Sequence, residues 1–208
     1  MSSERLLWPS ALRRFRWARE GIAAVEFALL LPILLTLVLA TAEVVNAVDQ
    51  RRKVVQLGRT LADLTAQGDS QSPIAQALMS DILASAGPVL APFQASAATI
   101  QISAIGIYQA NGHDAAYVCS TYPTSGKRAV GTAAGILVPT NFQRVGARFV
   151  LAEVTMPYKS ILGAVVPKVV KGLNLSLTWS EAVTWPVRSG TSFSADPEVV
   201  MPGGAACP

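Results

Sequence analysis

Few side chains in this sequence have the types and spacing for chemistry, and most of those stand alone. Cys119 and Cys207 are the two cysteines. Their spacing fits no zinc site, which needs clustered ligands, so the pair offers either one disulfide or two separate buried thiols. A disulfide would call for an oxidising compartment. It would close a loop of about 88 residues, stabilising by roughly 4–5 kcal/mol if loop-closure entropy dominates. It would also tie down a Gly/Pro-rich stretch that otherwise has little reason to be ordered. His113 is the one histidine and sits beside Asn111-Gly112, a strong turn signal, which points to a surface role. Without a second histidine, neither a Ser–His pair nor a His-based metal site can be assembled. Ser125-Gly126-Lys127 has the ending of a phosphate loop, but the earlier glycine is missing and Arg128 follows the lysine. Glu153 reads as solvated or paired with a cation, and Trp179 and Trp185 as strand packing. The expectation is a protein that is not an enzyme, with no metal and no cofactor.

One further carboxylate is out of place. Glu26 lies inside the run Ile22–Ala42, IAAVEFALLLPILLTLVLATA, which is otherwise without charge over its 21 residues. About 20 apolar residues span a bilayer core as a helix. A charge at the centre of such a helix costs about 2.5–3.5 kcal/mol on insertion scales, and less near its ends. Four residues into the run, Glu26 can reach the membrane surface. Pro32 falls mid-span, where it removes a backbone hydrogen bond and invites a kink. Ahead of the run, residues 1–21 carry five arginines (Arg5, Arg13, Arg14, Arg16, Arg19) against Glu4 and Glu20. The positive-inside tendency places this leader in the cytoplasm and the bulk of the chain outside. The apolar run passes into Glu43-Val44-Val45, still helical in pattern, so the segment reads as retained, with Ala40-Thr41-Ala42 leaving a cleaved secretory signal peptide as the lesser alternative.

Arg19-Glu20-Gly21 followed by Ile22-Ala23-Ala24-Val25-Glu26-Phe27 resembles the processing site of class III signal peptides, those of type IV pilins. The resemblance implies that a prepilin peptidase cuts between Gly21 and Ile22 on the cytoplasmic side and leaves the apolar helix on the mature protein. It also implies that Glu26, five residues after the cut, pairs with the new N-terminal amine of a neighbouring subunit. The wording GIAAVEFALLLPILLTLV is similar to the TadE-like and TadG-like proteins, pseudopilins of the tight-adherence (Tad) system, in which the glycine, the AVEFAL core and a proline a few residues on recur. Phe27 stands where good substrates of that peptidase often have tyrosine.

These residues need elements to hold them. Val44, Ala47, Val48, Val54, Leu57, Gly58, Leu61 and Leu64 recur at three- and four-residue spacing, an amphipathic stripe that continues the helix until Gly68 caps it. Arg51-Arg52-Lys53 interrupts the stripe and suits solvent or headgroups. Lacking interleaved aromatics, it does not suit nucleic acid. Ser72-Pro73 reads as the cap and first turn of a second helix with Ile74, Leu78, Ile82 and Leu83 on its apolar face, and Gly87-Pro88 as its stop. Thr99–Tyr108 alternates as a strand with Ile100, Ile102, Ala104 and Tyr108 on one face, a pattern that Ile105 and Ile107 break. Tyr117–Cys119 reads as a short return strand, 120–146 as a long connection, and Arg148–Tyr158 and Leu173–Val187 as further strands. Ile161–Val166 suits the membrane or the sheet edge. The tail from Ser189 shows no periodicity. The resemblance to TadE/TadG-like proteins extends loosely through this region.

The expected architecture is α+β: a long N-terminal transmembrane and amphipathic helix, a short second helix and a small antiparallel sheet, pilin-like. The expected divisions are a basic cytoplasmic leader (1–21), a transmembrane helix (22–45), its amphipathic continuation (46–68), an exported α+β domain (69–188) and an extended C-terminal tail (189–208). The resemblance implies a minor pilin or pseudopilin of a Tad-type (Flp, type IVc) pilus, single-pass in the bacterial inner membrane with its folded part periplasmic or extracellular. Its implied partners are the prepilin peptidase, the major Flp-type pilin and other pseudopilins, the inner-membrane Tad assembly platform and membrane lipid, with no nucleic acid. The alternative is an uncleaved, membrane-anchored scaffold or sensor that enters no fibre.

Overall fold

The stretch 22–57, without Gly and dominated by Leu, Ala and Val, is a good helix former, and segments of period two come later. The structure, a computed structural model, follows that order. It describes residues 20–69, 72–110, 113–123, 128–133, 135–163, 176–188, 191–192 and 197–208. The leader before residue 20, the Asn111-Gly112 turn, Ser125–Lys127 and the first residues of the expected strand at 173–187 lie outside that set. The chain divides into two compact units, 1–45 and 46–208.

Helix α1 is Glu20–Ala66 and contains Pro32. Within the first unit its side chains are almost all exposed, including Ile22, Phe27, Leu29 and Ile33. Thr36 and Thr41 turn their hydroxyls back on the helix, donating to the carbonyls of Ile33 and Leu37 at 2.8 Å each. Both hydroxyls thereby satisfy themselves inside an apolar stretch.

The second unit is α+β. After α1, the described residues form α2 (Gln76–Ala84), α3 (Ala86–Leu90) and the strands β1 Thr99–Ala110, β2 His113–Tyr122, β3 Gly131–Thr132, β4 Arg148–Tyr158, β5 Leu177–Pro186, β6 Thr191–Ser192 and β7 Pro197–Glu198. The first five form one sheet in the order β3-β2-β1-β4-β5, antiparallel at every pairing. One face is covered by helices. Val54, Leu57, Leu61 and Ala62 of α1, with Met79, Ile82 and Leu90, bury against Ile102, Ala104, Val150, Ala152, Val154 and Met156. The stripe comes close to β5 at Gly58, where a Cβ would lie 3.0 Å from Val183 Cγ2. The helix ends at Ala66, and Gly68, at φ 69°, takes the left-handed conformation that stops it.

The opposite face carries a second core of Ile105, Ile107, Ala116, Val118, Phe149 and Leu151, roofed by Ala133, Ile136, Val138 and Phe142. Ile105 and Ile107 broke the expected one-sided alternation because β1 is buried on both sides. The β1–β2 register slips between Ala104 and Ile105, pairing Ala104 with Ser120 and Ile105 with Val118. Cys119 is thus the extra residue of a β-bulge.

Three expectations are corrected. The second helix does not start at Ser72-Pro73. The Ile74 N–H is given to Val200 O at 2.9 Å and the Ala75 N–H to Asp69 Oδ2 at 3.2 Å, which keeps the chain extended until Gln76. Gly87-Pro88 does not stop a helix but sits in the first turn of α3, where a proline costs no intrahelical bond. The return strand runs over His113–Tyr122 rather than three residues, so β2 takes the first part of the expected connection. The hairpin register, not local propensity, carries its Asp-Ala-Ala start.

Leu57 is fully buried between α1 and the sheet. Leu57→Ala should therefore cost about 2–5 kcal/mol, read as a lower urea midpoint with unchanged slope for the full chain in detergent.

Candidate functional site

Two groups of sequence-selected residues have to be located, and the structure brings each group together separately. The first is the start of α1. Gly21 and Ile22 lie at the start of the described part of the helix. A Cβ on Gly21 would meet nothing within 4 Å among the described residues. Glu26 is one turn above Ile22, on the same side of the helix. It is exposed, and among the described residues its carboxylate has no partner. Phe27 is 59% exposed. Pro32 follows one and a half turns later and leaves the Ala28 carbonyl without its usual donor. From Ile22 to Ala42, therefore, the chain offers apolar surface with one acid, Glu26, near its start. The helix Gly21–Ala66 is long and apolar enough to cross a membrane.

The second group lies in the folded unit. Cys119 and Cys207 form a disulfide with their Cα atoms 4.7 Å apart. The residues around it were not legible as a set. Arg148 Nε lies 3.3 Å from Glu198 Oε2, and both side chains are at least nine-tenths buried. Glu198 also accepts the Cys207 N–H at 3.1 Å, and Tyr108 Oη donates to Pro208 O at 2.8 Å. The Arg148 guanidinium stands 5.0 Å over the Tyr108 ring, a cation–π arrangement. Burial raises the Tyr108 phenol above its ordinary value, while Arg148 pulls it the other way. All of this crowds onto Gly106, whose missing side chain would sit 2.8 Å from Arg148 Nη1 and 3.1 Å from Cys207 Sγ. Met201 N–H donates to Ser120 Oγ at 3.0 Å, and Val199, Val200 and Met201 are buried. The segment after β7, without periodicity in the sequence, is held as part of the core.

A third polar cluster is structural. Arg128 grips Glu153 with two hydrogen bonds of 2.8 Å, and that bond, ahead of opposing desolvation, raises the arginine pKa. Its backbone N–H reaches Gln101, whose amide donates to Thr121 Oγ1 at 2.8 Å. Glu153 thus has the cationic partner that one reading of the sequence allowed. Among the described residues, no group of three or more His, Cys, Asp or Glu could hold a metal ion. Trp179 and Trp185 pack against the helix-side core.

The stretch from Gly21 through the exposed apolar helix into the buried stripe is also the stretch that a comparison with known families singles out. Residues 21–63 match the family model described as TadE-like protein. That segment is similar to the TadE-like family. The match begins at Gly21 and ends at Asp63, about a fifth of the chain. The TadE-like segment therefore includes both the exposed apolar residues and the stripe that packs on the sheet. No curated protein matches the chain, and no solved structure matches it.

Two predictions follow from the covalent and ionic locks. Replacing Cys119 and Cys207 together by serine should lower stability by about 2–5 kcal/mol, measured by urea denaturation, and reductant should do the same to the parent protein. Arg148→Ala strands a buried carboxylate and should cost about 3–5 kcal/mol, whereas Arg148→Met with Glu198→Leu should cost less, the comparison being made by thermal melts of the two variants.

Proposed function

We propose that this chain is a minor pilin-like component associated with a Tad-type pilus, and that its work is structural rather than catalytic. The observation that carries the reading is the TadE-like segment, which starts at Gly21 and, among the described residues, holds Glu26 unpaired in the otherwise uncharged run Ile22–Ala42. An acid kept in that position costs insertion free energy, which a partner's positive charge would offset. In this reading the leader directs insertion with residues 1–21 cytoplasmic. Prepilin peptidase cuts between Gly21 and Ile22, and the helix from Ile22 packs beside pilin helices in the inner membrane. A new amine on Ile22 would sit at the positive end of a helix dipole, one turn from its own Glu26. The carboxylate of a neighbouring subunit lowers the cost of that charge, and the reciprocal contact serves Glu26. The folded unit, on the periplasmic side, then primes or caps the fibre or engages the assembly platform.

Mass spectrometry of the membrane-extracted protein is the direct test. The mature chain should begin at Ile22 in cells with active peptidase. An N-terminus at Met1 in those cells overturns the processing step and favours an uncleaved anchor that enters no fibre. Glu26→Ala should leave protein level and N-terminal mass unchanged while pili are lost; normal piliation would remove Glu26 from assembly.

A further inference from the structure

The chain leaves the apolar segment at Val45 and enters the folded unit at Asn46, so whatever surrounds Asn46 in that unit is covalently held next to the end of the segment. Its surroundings are well defined. Asn46 Nδ2 donates to Tyr158 Oη at 3.1 Å, which brings the end of β4 to this point. Gln50, 2% exposed, donates to Pro157 O at 3.3 Å and accepts the Trp179 indole N–H at 3.2 Å, which brings the start of β5. One rim of the unit is therefore fixed around Asn46 and Gln50 by three hydrogen bonds.

That rim has an unusual outer surface. Ile161 is 61% exposed and Leu177 49%, with Pro157 and Lys159 also exposed and Trp179 half-buried. The Arg51 guanidinium stands 5.8 Å over the Trp179 ring and 3.7 Å from Glu181, and Arg52 is exposed. Beside Gln50 a recess of about 210 Å³ is lined by Phe93, Met156, Pro157 and Lys159. A tryptophan with its polar edge satisfied, isolated aliphatic side chains and long cations that can reach sideways form the residue mixture of a bilayer–water interface. An apolar recess with an ammonium group at its wall suits the upper part of an acyl chain, with the lipid phosphate near Lys159.

We infer that this rim is a lipid-contacting surface: Ile161, Leu177 and the Trp179 ring enter the interfacial layer of the bilayer, and Arg52 and Lys159 meet lipid phosphates. The folded unit is then a peripheral membrane domain as well as a tethered one. The inference rests on the part of the proposed function that puts the apolar segment in a membrane, and on no part of the pilus reading.

The test uses the full chain in nanodiscs made from lipids brominated high on the acyl chain, compared with unbrominated discs. One form keeps Trp179 as its single tryptophan (Trp8, Trp17 and Trp185 replaced by Phe). The other keeps Trp185, which packs in the core (Trp8, Trp17 and Trp179 replaced by Phe). Recovery of the chain with the discs checks the membrane segment separately. The expected result is that bromine removes about half of the Trp179 emission, as an interfacial ring requires, and leaves Trp185 unchanged. Ile161→Asp with Lys159→Glu should restore the Trp179 emission while the chain stays with the discs. Equal emission in both kinds of disc, or equal quenching of both tryptophans, overturns the inference. A chain that does not associate with discs overturns the membrane reading itself.

Discussion

The face of α1 carrying Val54, Leu57, Leu61 and Ala62 is where the folded unit is assembled. Those side chains bury against β1 and β4, Gly58 admits Val183 of β5 at close range, and α2 and α3 fill the space alongside. Remove that face and the inner side of the sheet loses its largest cover. The same helix, some ten residues earlier, has apolar side chains around its whole circumference and buries none of the large ones. A helix apolar on every side requires cover on every side, from lipid or from protein, whereas a striped one requires a core on one side. One continuous element therefore meets two constraints, and the TadE-like match extends across both parts of it.

Covering the helix side of the sheet takes a second contribution, from the far end of the chain. Val199 and Met201 complete the helix-side core, and the Ile74 N–H paired with Val200 O delays the start of α2. The ionic pair Arg148–Glu198 and the disulfide then hold that segment over Gly106. A buried ion pair is weak evidence for stability, because its desolvation is costly. Here each partner has additional work: Glu198 binds the Cys207 amide and Arg148 lies on Tyr108. The pair fixes position more than it adds free energy.

Much of the fold could be read from periodicity alone. The stripe from Val54 to Leu64, the alternation in Thr99–Tyr108 and the runs that became β4 and β5 are strong signals, and the sheet is built from them. The start of α2 was not readable, since Ser72-Pro73 has the composition of a helix start and only a backbone bond to residue 200 overrides it. The length of β2 was hidden for a similar reason, its Asp-Ala-Ala start being held by hairpin register. Ile105 and Ile107 gave a signal that could have been used, because a strand without a polar side implies cover on both faces. At the helix start, Gly21, Glu26 and Pro32 were legible because chemistry there departs from composition. Gln50, Arg148 and Glu198 were not, since an ordinary polar residue shows its importance only when its partners, up to 129 positions away, are seen beside it.

The spacing of the two cysteines gives the disulfide a meaning in time. Among the described residues, Cys119 lies in β2, and β3 to β7 come between it and Cys207. A chain emerging from its N-terminal end cannot close the bond until β3 to β7 have been delivered to the same compartment. The oxidised molecule is thus a chemical receipt for a completed domain, and any copy whose synthesis stalls between residues 119 and 207 carries a free Cys119 thiol that marks it as unfinished.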